Sequence, residues 1–210
     1  MADLAALTAA IEAGDRATAT AVTREAVNEG MDPRTVLDAM TAAMEVIGAK
    51  FQSEEIYVPE MLISARAMKE ATTVLEPVLV KAGIRPEHTA VLGTIKGDLH
   101  DIGKNLVGMM WKVANIEVVD LGTHVTPERF VEAAREHYAH IVGISALLTT
   151  TMVGMRDVVA AVRAADLGDV KVIVGGAPVT QDFADMIGAD GYASDAASAV
   201  EAARQALRAG

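Results

Sequence analysis

Gly93-Thr94-Ile95-Lys96-Gly97-Asp98-Leu99-His100-Asp101-Ile102-Gly103-Lys104 is the stretch that decides how this chain is read. An apolar run, Ala90-Val91-Leu92, leads into it, and a helical pattern from Asn105 to Val113 leads out. A strand therefore delivers a Gly-rich loop bearing Asp and His onto the start of a helix. In an open α/β sheet, ligands sit at the carboxyl ends of the strands, which is where such a loop falls. Asp98 and His100 are two positions apart, so in extended backbone their side chains leave from the same side. A carboxylate beside an imidazole can hold one ring nitrogen and fix the tautomer, leaving the other nitrogen free as a base or a metal ligand. Gly103 lets the following helix approach a large flat ligand.

Outward from that loop, strands and helices alternate to the C-terminus. Strand patterns fall at Thr89–Ile95, Ile116–Leu121, Ile141–Ser145, Lys171–Val174 and Gly191–Ala193. Helical patterns lie between and after them, at Lys104–Ala114, Pro127–Tyr138, Met152–Ala165, Val179–Ile187 and Asp195–Arg208. Strands as apolar as Ile141-Val142-Gly143-Ile144 are buried on both faces, as in a parallel sheet. Thr126-Pro127-Glu128 is a helix start with a cap, a Pro and an acid at the positive end of the dipole. The pattern predicts a doubly wound, five-stranded parallel sheet of flavodoxin-like order.

Upstream, the periodicity is helical only. Leu4, Leu7 and Ile11 form one stripe, ended by Gly14; Ala17 to Glu29 forms another, ended by Gly30. Asp32-Pro33 supplies a cap and a first-turn Pro to a helix carrying Val36, Met40, Met44, Val46 and Ile47 towards Phe51. A fourth helix opens at Pro59 and runs Met61, Ala65, Met68, Thr72, Leu75, Leu79 in alternating steps of four and three, with Pro77 expected to kink it or split off its last turn. Four helices with short joins predict a bundle. Gly83 and Pro86 separate the two periodicities, so the expected domains are 1–85 and 86–210, with a hinge at 81–88.

Composition narrows the function. The 210 residues carry a formal net charge of −11, which argues against nucleic acid and anionic membranes as partners, because phosphate contacts need clustered Lys and Arg. No run approaches the roughly 18 apolar residues of a membrane span, and Met1-Ala2-Asp3-Leu4 does not open a secretory signal, so the expected location is the cytoplasm. With no Cys, disulfides and thiolate metal sites are excluded. His88, His124, His137 and His140 match no metal-ligand spacing and read as surface or linker residues. Trp111 reads as core, and the bundle methionines as gap fillers.

Three strand-end loops carry the chemistry. The first holds Asp98 and His100. The third strand ends in Ser145-Ala146-Leu147-Leu148-Thr149-Thr150-Thr151, and the fourth in Gly175-Gly176-Ala177-Pro178. Short hydroxyls and residues without bulk suit a slot for a long, narrow ligand tail. Asp98-Leu99-His100-Asp101-Ile102-Gly103 resembles the Asp-x-His-x-x-Gly signature of cobalamin-binding domains, whose other motifs, a Ser-x-Leu-x-Thr stretch and a Gly-Gly pair, have counterparts at Ser145, Leu147, Thr149 and at Gly175 and Gly176. Gly191-Tyr192-Ala193 resembles the last contact of that family with the nucleotide tail, although Ser194 stands where many relatives have Pro. The stretch from Lys50 to Met61 resembles the helical cap of the family, with Tyr57, Val58 and Met61 at the place that covers the upper face of the corrin.

The resemblance spans the chain and implies a Rossmann-like cobalamin domain behind a helical cap, as in the corrinoid proteins of methyltransferase systems and the middle section of methionine synthase. It implies that His100 replaces the cofactor's own base as lower ligand to cobalt (base-off/His-on), with Asp101, Ile102 and Gly103 lining the cofactor. It also implies that Asp98 and a hydroxyl form a proton relay; the hydroxyl aligns with Thr151, with Ser145 and Thr149 as rivals. The implied partners are a substrate-specific methyltransferase, an acceptor methyltransferase passing the methyl group to tetrahydrofolate, coenzyme M or a similar acceptor, and a reductive activase. The rival reading is a cobalamin-sensing regulator, but such proteins carry a Trp and a Glu-His pair in the bundle, and here no Trp or His precedes His88. A mutase cobalamin subunit would lack this cap. A phosphoacceptor receiver domain would need Asp where Ser145 stands, and a flavin protein a phosphate-cradling loop after the first strand.

Overall fold

In the computed structural model, which describes residues 2–84 and 86–208, the chain divides into two units, Met1–Pro86 and Glu87–Gly210. Arg85, inside the expected hinge, lies outside the described residues, as do Met1, Ala209 and Gly210. No described helix is long and apolar enough to cross a membrane.

The first unit contains α1 (Leu4–Glu12), α2 (Arg16–Asn28), α3 (Pro33–Gln52) and α4 (Val58–Lys81). Each of the first three starts on an Asp that accepts from backbone N–H groups: Asp3 from Ala5 and Ala6, Asp15 from Thr18, and Asp32 from Arg34. These are orphan donors that a short carboxylate satisfies. α4 begins one residue before Pro59, with the Glu60 carboxylate reaching back 3.1 Å to the Tyr57 N–H. Pro77 does not end this helix, which continues to Lys81, so the expected split of the last turn does not occur. The buried seam holds Leu7, Ile11, Met40, Met44, Ile47, Ala65, Met68, Ala71 and Leu75. Its alanines let the helices approach closely. Val46, expected on the apolar stripe, is exposed. Gly14, at φ +71°, has no room for a side chain: a Cβ there would lie 2.1 Å from Ile63 Cγ2 on α4.

The second unit begins with β1 (His88–Thr94) and continues through α5 (Ile102–Val113), β2 (Ile116–Asp120), α6 (Pro127–Glu136) and β3 (Ile141–Ser145). It is completed by α7 (Thr149–Met152), α8 (Met155–Ala164), β4 (Lys171–Gly175), α9 (Gln181–Ile187), β5 (Gly191–Ala193) and α10 (Ala196–Arg208). All strand pairs are parallel, in the order β2-β1-β3-β4-β5, as the alternating pattern predicts. The switch in direction between β1 and β3 leaves a crevice at their carboxyl ends.

Both faces of the sheet are covered. Val91, Val142, Val172 and Val174 pack against Phe130, Val158 and Val162 on one side. Ala90, Leu92, Ile141 and Ile173 pack against Trp111 and Ala199 on the other. Trp111 is buried as expected, and its indole N–H donates to the Ala199 carbonyl at 2.9 Å. Its ring fills the space over Gly143, where a Cβ would meet Trp111 Cη2 at 2.6 Å and Leu92 Cδ1 at 2.8 Å. Replacing Gly143 with Ala is expected to lower unfolding free energy by about 1–3 kcal/mol, because close-packed neighbours must shift. Urea unfolding measures the loss, and an unchanged midpoint would show that the ring moves freely.

The helix expected over Met152–Ala165 is two helices, α7 and α8, separated at Val153-Gly154. α5 starts at Ile102 rather than Lys104, so Gly103 lies inside its first turn.

Candidate functional site

β1 ends at Thr94, fully buried between neighbouring strands, with its hydroxyl donating to the His100 carbonyl at 2.9 Å. The loop then turns at Gly97, whose φ of +89° is disfavoured for residues with a Cβ. The turn sends the Asp98 side chain inward, where it is 0% exposed.

A buried carboxylate survives only when its oxygens are hydrogen-bonded. Oδ1 of Asp98 lies 2.7 Å from His100 Nδ1 and accepts from the His100 N–H at 3.1 Å. Oδ2 accepts from the N–H groups of Leu147 at 2.8 Å and Leu148 at 3.3 Å, and from the Thr151 hydroxyl at 2.8 Å. Burial alone would push this carboxyl up; the donors from Leu147, His100 and Thr151 outweigh it and hold the group well below the usual carboxylate range. Asp98 is therefore a fixed anion joining the loop after β1 to the loop after β3.

The His100 side chain is 53% exposed. With Nδ1 held by Asp98, Nε2 is the nitrogen left to act. Leu99 and Ile102, 73% and 78% exposed, flank it in sequence, and Leu147, Leu148 and Val153 are further exposed apolar residues in the loop-to-helix stretch after β3. Monomeric proteins rarely display such a cluster without a ligand to cover it. A pinned imidazole among apolar side chains fits a flat macrocycle with a metal at its centre.

Sheet register aligns the remaining strand-end residues. Thr94 pairs with Ser145, Ser145 with Gly175, and Gly175 with Ala193, while Tyr192 pairs with Val174. The glycine pair is required by the protein's own backbone. A Cβ on Gly175 would sit 2.7 Å from the Ala193 carbonyl oxygen, and one on Gly176, at φ +128°, would sit 1.8 Å from that of Ala146. Of the three candidate hydroxyls, Thr151 is the one that reaches Asp98; Thr149 opens α7 and Ser145 ends β3. Asp101 stands at the N-cap of α5 and accepts from Asn105 Nδ2 at 3.1 Å. In the helical unit, Tyr57 is largely exposed, Val58 half-buried and Met61 buried.

Sequence patterns missed two supports of this loop, and a histidine pair at the opposite end of the strands. Lys104 is buried, its Nζ 2.6 Å from both oxygens of Asp120 and 2.7 Å from Asn105 Oδ1, which ties α5 to the end of β2. His124, read as a surface residue, accepts from the Gly97 N–H. His88 and His140, read the same way, meet edge-to-face with ring centroids 5.1 Å apart, and the Thr89 N–H donates to His140 Nδ1. An acid at the end of β2 was the one available signal, since strand ends face the site.

Residues 88–201 match a B12 binding domain, and residues 4–76 match a second B12 binding domain. The two matches define a cobalamin-binding protein made of a helical unit and an α/β unit. A corrinoid protein of Desulfitobacterium hafniense is 41% identical over 203 residues, 94% of each chain. The trimethylamine corrinoid protein 2 of Methanosarcina mazei is 40% identical over 200 residues, 93% of this chain and 92% of its own. Among solved structures, the methanol:cobalamin methyltransferase complex of Methanosarcina barkeri includes a chain that superposes with TM-score 0.83 at 28% identity, over 99% of this chain and 80% of that one. A cobalamin-binding protein from Desulfitobacterium hafniense matches with the same TM-score at 30% identity, over 98% and 99% of the two chains. The chain belongs to the corrinoid protein family, and its cofactor is cobalamin.

Proposed function

We propose that the protein binds cobalamin base-off/His-on through His100 and carries a methyl group between two methyltransferases. One loads it from a specific substrate; the other passes it to an acceptor such as tetrahydrofolate or coenzyme M. The observation that supports this most directly is the half-exposed imidazole whose Nδ1 is held by a buried, multiply bonded carboxylate. Relatives with trimethylamine and dimethylamine corrinoid names, and the methanol complex, support a methyltransferase partner.

Cobalamin supplies the cobalt on which the methyl group rides. His100 would offer Nε2 to the cobalt. With Nδ1 turned to the Asp98 carboxylate, the ring would present Nε2 as the nitrogen able to coordinate. With Nε2 disengaged, the Asp98–His100 pair would be the place for a compensating proton, the Thr151 hydroxyl dividing its donation between Asp98 Oδ2 and the Leu148 carbonyl, 2.8 and 3.0 Å away. Ser145, Leu147, Thr149, Gly175, Gly176, Tyr192 and Ala193 would hold the nucleotide tail, and Asp101, Ile102 and Gly103 would meet the corrin. Tyr57, Val58 and Met61 of the helical unit would be the residues that protect the methyl group, as the family resemblance implies. Segment 81–88 acts as the hinge that exposes the cofactor to each partner and to a reductive activase.

Reconstitution with hydroxocobalamin tests this. The wild-type protein should give a base-off/His-on visible spectrum, and His100→Ala should lose it. A spectrum indifferent to His100 would overturn the assignment. Tight His-on binding without methyl transfer in the presence of methyltransferases and methyl donors would favour the sensing role.

A further inference from the structure

We infer that His124 is a positioning residue for the cobalt-ligating loop, acting on His100 through the backbone of Gly97 and Asp98; this rests on the assignment of His100 as the axial ligand. His124 lies beyond β2, in the short connection that leads to the Thr126 cap of α6. It makes two hydrogen bonds to consecutive residues of the facing loop. Its Nδ1 accepts from the Gly97 N–H at 2.9 Å, and its own N–H donates to the Asp98 carbonyl at 3.0 Å. Donor and acceptor together close a ring around the Gly97-Asp98 dipeptide.

The backbone around His124 makes this grip rigid. Thr94 N–H donates to the Gly122 carbonyl and Val125 N–H to the Thr94 carbonyl, each at 2.9 Å, so segment 122–125 continues the pairing of β1 past the ends of the strands. Asp120, which holds buried Lys104, also accepts from the Gly122 N–H at 2.9 Å. The same connection is thus tied to α5, to β1 and to the loop between them.

His124 adopts φ +58°, a left-handed conformation uncommon for residues other than Gly but one that His, like Asn and Asp, adopts more readily than most. That backbone aims the imidazole at the facing loop, where its Nδ1 meets the Gly97 N–H at the turn set by φ +89°. Asp98 is then fixed twice: its carboxylate by the Leu147–Thr151 stretch, its main chain by His124. Both constraints determine where Oδ1 meets His100 Nδ1.

Three variants separate this role from general stability. His124→Asn keeps an acceptor at the Nδ1 position and tolerates the left-handed backbone; His124→Gly keeps the backbone and removes the acceptor. Loss of an outer hydrogen-bonding partner typically weakens metal ligation about 10–100-fold, and His124 acts one bond further out. His124→Gly is therefore expected to raise the Kd for hydroxocobalamin about 3–10-fold and to shift the bound spectrum towards His-off, with His124→Asn within about twofold of wild type. In a His100→Ala background, His124→Gly should cause no further loss, since the two act through one path. In the cofactor-free protein, the Gly97 amide should exchange faster in His124→Gly than in wild type or His124→Asn, at similar thermal midpoints.

A His-on spectrum and affinity unchanged in His124→Gly, an equal loss in His124→Asn, or an equal loss without His100 would each overturn the inference. If wild-type protein shows no His-dependent spectrum at all, the assignment of His100 fails, while the Gly97 exchange comparison still decides whether His124 holds the loop.

Discussion

Asp98→Ala is expected to disable cobalt ligation and to destabilise the α/β unit together. The substitution removes both carboxylate oxygens from a fully buried position, leaving the N–H groups of Leu147, Leu148 and His100 without that acceptor, while the Thr151 hydroxyl keeps the Leu148 carbonyl. Each buried, unsatisfied donor costs about 1–3 kcal/mol, and local relaxation recovers part of that, so a net loss of about 3–5 kcal/mol in unfolding free energy is expected. His100 loses its carboxylate partner, and its ring is free to rotate or change tautomer. Hydroxocobalamin affinity should fall about 10–100-fold, with loss of the His-on spectrum. Guanidinium unfolding of the cofactor-free protein and equilibrium dialysis with the cofactor measure the two effects. A variant of normal stability and affinity would show that the buried carboxylate is dispensable.

The same group sets an acid limit. Because the Asp98 carboxyl is held below its unfolded range, its contribution to stability is fully present above about pH 4, the ordinary carboxylate value, and is lost as pH falls through the lower folded value. The wild-type cofactor-free protein should lose stability more steeply below that pH than Asp98→Asn does.

Gly176→Ala is the second large effect. The added methyl would lie 1.8 Å from the Ala146 carbonyl oxygen, and the backbone at φ +128° is a conformation that residues with a Cβ rarely adopt. A flexible side chain could yield, but this neighbour is the main chain at the end of β3, so β3 and β4 must part where Ser145 pairs with Gly175. Strain and overpacking together are expected to cost about 3–5 kcal/mol. Separation of the strand ends should also weaken cobalamin binding, since the tail is proposed to pass there. Normal thermal stability with weak binding would assign the glycine to the ligand alone; loss of both is expected from the backbone contact.

These two residues show how unevenly a sequence reports a site. The Asp98–His100 pair was legible because its chemistry is local: two residues apart, after an apolar run, ahead of a helix. The sheet order was legible for a similar reason, because alternating five-residue apolar runs and helical stripes admit few parallel arrangements. The meaning of Gly175-Gly176 was only partly legible. Absence of bulk suggested space for a ligand, whereas the structure shows the first demand on that space coming from neighbouring strands.

Pattern alone left open whether Pro77 would split off the last turn, which it does not, and misjudged the helix after β3, which breaks at Val153-Gly154. Sequence by itself determined the helical and α/β units, the order of the strands and the loop that bears Asp98 and His100, because periodicity and short-range spacing act along the chain. Tertiary structure alone decided that Thr151 rather than Ser145 or Thr149 meets Asp98, that buried Lys104 finds Asp120, and that His124 holds Gly97. Those contacts join residues 16 to 53 positions apart. No spacing rule encodes such a distance; only strands laid side by side in register bring the partners within hydrogen-bond reach.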